Sequence, residues 1–194
     1  VERAESVTFK DVFHLFKLKD FWFFMLYMLG ATCVYSVYDQ QFPIYYSSLF
    51  STKALGNQIF GYLNSFQVFL EAGMMFAAPF IVNKIGAKKG LVLAGIIMTL
   101  RMVGSGLVHD PYSISVIKLI HSFEYATMLV SIFKYLADHF DTRLSSVLYL
   151  VGFQFATQIG TTFLSPVVGN MYDHFGFRPT YLFMGGIVFV FTIF

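Results

Sequence analysis

Charge is what this sequence lacks most. Only 12% of the residues are Asp, Glu, Lys or Arg, and they sum to a net +2. A soluble domain carries roughly 25% charged residues, so little of this surface is built to meet water. So small a net charge also excludes the basic face of a nucleic-acid binder. Cysteine is nearly absent as well. Cys33 stands alone, which excludes an intramolecular disulfide. Metal chemistry is short of ligands: His121 is the one histidine at membrane depth in a predicted span, and no third ligand accompanies it and Glu124 at metal-site spacing. The expectation is therefore no metal, no cofactor and no enzyme activity.

Apolar residues are abundant. Hydrophobic types make up 57% of the chain and aromatic types 20%. Such a composition would expose too much apolar surface in water, so lipid is the natural surround. A bilayer core about 30 Å thick needs roughly 20 mostly apolar residues per helix. Six stretches qualify, at about 21–47, 58–82, 90–108, 111–135, 144–169 and 180–194. The fold expected is an all-α membrane protein of six transmembrane helices. Residues 1–20 would form a cytoplasmic lead-in, amphipathic around His14, and residues 21–194 the bundle. The chain opens at Val1 without an initiator Met and stops inside an apolar run. A segment of a longer protein, its last helix cut short, is the expectation.

Lys and Arg orient the spans. Arg3, Lys10, Lys17 and Lys19 precede span one; Lys84, Lys88 and Lys89 follow span two; Lys134 and Arg143 flank the loop after span four. Those nine lie on one side, against Lys53 and Arg178 on the other. Both ends of the segment are thus expected in the cytoplasm, in a multi-pass cell membrane.

Five ionisable residues fall inside predicted spans: Asp39, Glu71, Arg101, Lys118 and Glu124, with His121 beside them. A charge at mid-bilayer costs about 2.5–3.5 kcal/mol on insertion scales, so such residues face a polar interior and mark a pathway. The plainer alternative is a set of ion pairs that lock helices together. At 1.5 Å of rise per residue, Asp39 lies ~12 Å and Lys118 ~10 Å from the outer ends of their spans. Equal depth predicts an Asp39–Lys118 ion pair, structural in role. Glu71, Arg101 and Glu124 fall near the midplane. His121 and Glu124 are three residues apart and share a face of span four. With Lys118 on Asp39 and Arg101 on one glutamate, one carboxylate is left over if His121 is neutral. A buried carboxylate without a counter-charge takes up a proton, as a proton-coupled transporter requires.

The remaining polar residues in the spans fit a sugar. Sugars offer hydroxyls and flat C–H faces, which call for bidentate polar groups beside aromatic bodies. Gln40 and Gln41 on span one, Asn64, Gln67 and Glu71 on span two, and Gln154 on span five are the candidates. Asn64, Gln67 and Glu71 follow i, i+3, i+7 spacing, one polar stripe on an apolar helix. For any one of these amides, interhelical hydrogen bonding is the competing explanation.

Several segments resemble the lactose/sucrose permease family, oligosaccharide–proton symporters of the major facilitator superfamily. They are residues 33–42 (CVYSVYDQQF), 95–101 (GIIMTLR), 118–124 (KLIHSFE), 133–135 (FKY) and 169–173 (GNMYD). The resemblance runs over nearly the whole chain and matches the C-terminal half of those permeases. It implies twelve helices in two six-helix halves, a sugar bound between them, and a proton carried with it. It also implies that Glu124, His121 and Arg101 serve proton coupling, with Glu124 as carrier. Asp39 and Lys118 would be the interhelical pair. Lactose-transporting members have an acidic residue where this chain has Ser36 and a lysine where it has Thr157, so a charged pair has become neutral here. They also have their sugar-linked glutamate at the position of Val68; here the carboxylate is Glu71, one turn on. Residues 61–72 (GYLNSFQVFLEA) are closest to the sucrose-transporting members, so sucrose is favoured over lactose. The partners implied are a disaccharide, membrane lipid and an N-terminal half. A non-transporting sugar receptor, or a six-helix pore or half-transporter acting as an oligomer, are the rival readings.

Overall fold

A computed structural model describes residues 8–193 of the chain. Arg3 of the positive-side count and the terminal Phe194 lie outside the described residues. A short helix, α1 (Phe9–Leu15), precedes six long ones: α2 (Lys19–Ser48), α3 (Lys53–Ile85), α4 (Ala87–Leu107), α5 (Pro111–His139), α6 (Thr142–Phe175) and α7 (Phe177–Ile193). The protein is an all-α membrane protein. Five of the long helices are apolar and long enough to cross a bilayer, and α7, at 17 residues, is the shorter sixth.

Each predicted span lies within one helix, apart from an end residue or two, and most of the helices extend further. The extra turns reach polar caps beyond the apolar run, which hydropathy does not register. Thr8 caps α1 in a reciprocal box with Asp11, whose carboxyl is thereby held below the usual carboxylate range. Thr52 caps α3 through the Leu55 N–H. Asp110 caps α5, accepting the Ser113 N–H at 2.9 Å, with Pro111 in the first helical position. α1 turns Leu15 inward and leaves Phe9 and Phe13 exposed, an apolar side suited to the membrane interface.

The two tightest connections use glycine. Gly86 between α3 and α4 has φ 91°, and Gly176 between α6 and α7 has φ 80°. These combine with ψ of 158° and 173°, a backbone region essentially reserved for glycine.

α4 is the central helix, packed along α7 and α5. Small residues let the backbones approach: a side chain at Gly95 would collide with Thr192, and one at Gly106 with Leu182 and the Arg178 carbonyl. α3 packs on α5, and α2 lies between α3 and α6. The buried side of α2 carries Tyr35, Tyr38, Phe42, Tyr45 and Tyr46, at helical spacing. Three irregular turns interrupt the spans. α2 widens by one residue per turn at Met28–Thr32, and α6 does so at Leu148–Phe155. α5 tightens at Ile120, whose N–H reaches Ile117 O at 3.2 Å. That turn separates Lys118 from His121. Irregular turns of this kind often sit at functional sites.

Candidate functional site

The ionisable residues of four helices meet in one buried network. Arg101 of α4 is at its centre, 1% exposed. Its Nε and Nη2 donate to the two oxygens of Glu124 on α5, at 2.8 and 3.1 Å. This is the two-pronged geometry of a guanidinium on an ionised carboxylate. Nη1 donates to Asp39 Oδ1 on α2 at 2.9 Å. The guanidinium lies over the Tyr38 ring, 4.7 Å from its centroid. The Tyr38 hydroxyl contacts Ser105 Oγ, which donates to the Arg101 carbonyl one turn back. Arginine is thus clamped at both ends.

Asp39 continues the chain. Its second oxygen lies 3.2 Å from His121 Nε2. The His121 ring stacks with those of Tyr35 and Tyr125, with centroids 5.5 and 5.7 Å away, and the Tyr35 hydroxyl also contacts Nε2. His121 Nδ1 meets the Gln67 side-chain amide of α3 at 2.8 Å. Gln67 Oε1 accepts from Lys118 Nζ at 2.6 Å. Glu71, one turn along α3, brings Oε2 to 3.7 Å from His121 Nδ1.

Depth and face therefore come apart for one expected pair. Asp39 pairs with Arg101 and His121, not with Lys118. Lys118 is buried at 6% exposure, bonded to Gln67, with its ammonium 4.8 Å over the Phe60 ring and 5.7 Å over Phe42. Depth counts Cα levels only. The rotation of α5 turns Lys118 toward α3, and the longer reach of Arg101 takes Asp39 instead. The carboxylate left without a full counter-charge is Glu71. Glu124 has a full cation, whereas among the described residues Glu71 has only His121 at ion-pair distance.

The candidate sugar contacts are divided. Gln67 is 4% exposed and spends both ends of its amide inside the network. Glu71 keeps 20% of its side chain exposed, at the edge of the network. Asn64 and Gln40 are exposed, Gln40 meeting Ser165 of α6 at 3.4 Å. Gln41 is half-buried. Gln154 is exposed and donates to Tyr149 on its own helix. The two positions that are neutral here meet at Thr32: Ser36 donates to the Thr32 carbonyl at 2.9 Å, and the Thr157 hydroxyl is 3.2 Å from that of Thr32. A small hydroxyl cluster thus ties α2 to α6. Tyr38 and Ser105 have no role in the sequence reading. The signal for Tyr38 was the aromatic repeat along α2, which ran past Asp39 on the same buried side; Ser105, on α4, carried none.

Comparison with known proteins agrees with this architecture. The model of the LacY proton/sugar symporter family matches residues 2–194. A melibiose permease of Enterobacter cloacae is 43% identical over 97% of this chain and 44% of its own length. A raffinose permease of Escherichia coli is 41% identical over 98% of this chain and 45% of its own. A sucrose permease of Escherichia coli is 40% identical over 98% of this chain and 46% of its own. The chain spans somewhat less than half the length of these relatives, and corresponds to their C-terminal half. The chain belongs to the LacY family of proton/sugar symporters, transport proteins rather than enzymes.

Proposed function

We propose that this chain is the C-terminal half of a proton-coupled disaccharide symporter, with sucrose the favoured substrate, working in the inner membrane with its termini in the cytoplasm. In this reading residues 1–20 are the end of a central loop and residues 21–194 form the transporting bundle. The partners are an N-terminal half, the sugar and lipid, and the proton is the coupling ion. The observation that carries the proposal is the buried network that joins Glu124, Arg101, Asp39 and His121 and ends at the half-buried Glu71.

The arrangement suits proton coupling for a specific reason. Arg101 holds Asp39 and Glu124 through different nitrogens. If Glu124 takes a proton, Arg101 keeps Asp39 as its counter-charge and no cation is stranded. Glu124, the carrier in this reading, can therefore load and unload without stranding a charge. Glu71, with 20% of its side chain exposed, accepts sugar hydroxyls in this reading, together with Asn64, Gln40, Gln41 and Gln154. Exposed polar residues along α6, Gln154, Gln158 and Thr162 at four-residue spacing, are unsuited to lipid and fit a sugar cavity between halves. The neutral Ser36 and Thr157 and the one-turn shift to Glu71 support sucrose. The other sugars named for the relatives, melibiose, raffinose and lactose, are the competitors.

Vesicles holding the complete transporter test this. Sucrose uptake should be driven uphill by an inward proton gradient and collapse when the gradient is dissipated. Among sucrose, melibiose, raffinose and lactose, sucrose should compete best. Uptake indifferent to the gradient would defeat the coupling, and stronger competition by another sugar would replace the substrate.

A further inference from the structure

Gln67 occupies an unusual position. Its oxygen faces Lys118 Nζ at 2.6 Å and its nitrogen faces His121 Nδ1 at 2.8 Å. An ammonium has three donors and no acceptor, so the amide oxygen must be the atom turned toward Lys118. The amide NH2 is then turned toward His121 and donates. Nδ1 can only accept, so it carries no proton. The one proton of the imidazole sits on Nε2, where both neighbours, Asp39 Oδ2 and the Tyr35 oxygen, can accept it. The opposite choice fails at two places. A proton on Nδ1 would face the amide NH2, and reversing the amide would set that NH2 against the ammonium.

We propose that Lys118 and Gln67 act as a tautomer lock, positioning residues that hold His121 neutral with its proton on Nε2 and aimed at Asp39. The proposal deepens the symport reading by assigning the loadable proton to a group other than His121 in this state. The groups that face His121 are Tyr35 and Asp39 from α2, Gln67 and Glu71 from α3, and Lys118, Glu124 and Tyr125 from α5, with Arg101 of α4 behind Asp39. Asp39 and Tyr35 alone do not choose the tautomer. A tyrosine hydroxyl can donate to a bare Nε2 as readily as accept from a protonated one. The lock chooses, from the far side of the ring. It also has a release. If Lys118 leaves Gln67, the amide is free to reverse and present its oxygen to Nδ1. His121 can then hold a second proton, with Glu71 already 3.7 Å away as its counter-charge.

Nitrogen-15 magnetic resonance on histidine-labelled complete transporter reads the tautomer directly, with a His121→Asn sample to identify the signal. The nitrogen shifts separate the Nδ1–H, Nε2–H and doubly protonated rings, so tautomer choice is read apart from protonation. The wild-type protein should show a single Nε2–H form. In Gln67→Leu and in Lys118→Met, an Nδ1–H form should appear beside it, because both remove the orientation constraint. An Nδ1–H or doubly protonated ring in the wild-type protein would overturn the lock. So would a pure Nε2–H ring in either variant, which would leave the choice to Asp39 and Tyr35. The spectrum needs no transport. Loss of gradient-driven uptake as a property of the wild type would sink the symport reading and leave this result standing.

Discussion

Arg101 uses three N–H bonds on two carboxylates from different helices, Glu124 and Asp39, while resting on the Tyr38 ring. Removing Arg101 from such a buried set strands its carboxylates and costs about 3–5 kcal/mol, so the set binds α2, α4 and α5 together. A neutral Glu124 strands no cation, since Asp39 remains on Arg101. Glu124→Gln therefore mimics the protonated state. In the complete transporter it should preserve sugar binding and equilibrium exchange across the membrane. Accumulation against a gradient should fail, because the empty carrier returns only after the proton leaves. Exchange and accumulation measured side by side check this, with His121→Gln in parallel. Full uphill accumulation by Glu124→Gln would remove Glu124 as carrier; the same phenotype from His121→Gln with a milder Glu124→Gln would move the proton to the imidazole.

Helix boundaries rest on caps and on two glycines more than on hydropathy. Asp110 is one such cap, and the Ser113 backbone N–H keeps its carboxyl below the usual range. A carboxyl so shifted stabilises the fold above its unfolded titration and loses that contribution only as acid protonates it in the folded state. Gly86 and Gly176 have a firmer role, since their φ of 91° and 80° set how α4 and α7 leave the preceding helices. An alanine there would be strained by about 1–3 kcal/mol. Gly86→Ala and Gly176→Ala should each lower the thermal unfolding midpoint of the detergent-solubilised transporter. Gly186→Ala, inside α7 with open space where its Cβ would go, should leave the midpoint unchanged or raise it slightly. Equal midpoints for all three variants would show that the connections tolerate other geometries.

At the scale of the molecule, the six helices form a bundle with one well-packed interior and two spans, α3 and α6, that are mostly exposed. Apolar exposed residues such as Phe69, Phe76 and Phe163 suit lipid. The exposed polar residues of α6 and the open edge of the network at Glu71 do not. In the proposed function they face a second half, which completes the sugar cavity. The chain expressed without a matching N-terminal half should then insert in the membrane but take up no sugar, and co-expression of the two halves should restore uptake. Gradient-driven sucrose uptake by this chain alone would mean that six helices suffice, as an oligomer would.

The sequence by itself determined the class and the span count, because apolar runs of bilayer length can be satisfied only by helices in lipid. It also singled out Asp39, Glu71, Arg101, Lys118, His121 and Glu124, because a charge in such a run is costly wherever the run ends up. Their pairing was a different matter. Rise per residue gives depth, and depth alone matched Asp39 with Lys118. Partner choice depends on how each helix is rotated and on side-chain reach, which no one-dimensional count contains. Tertiary structure decided that Arg101 bridges Asp39 and Glu124, and that Lys118 turns to α3. It decided as well that Gln67 lies inside the network rather than on a cavity wall. A glutamine at helical spacing looks the same in either place; only packing α3 against α5 brought its two ends within reach of a lysine and a histidine.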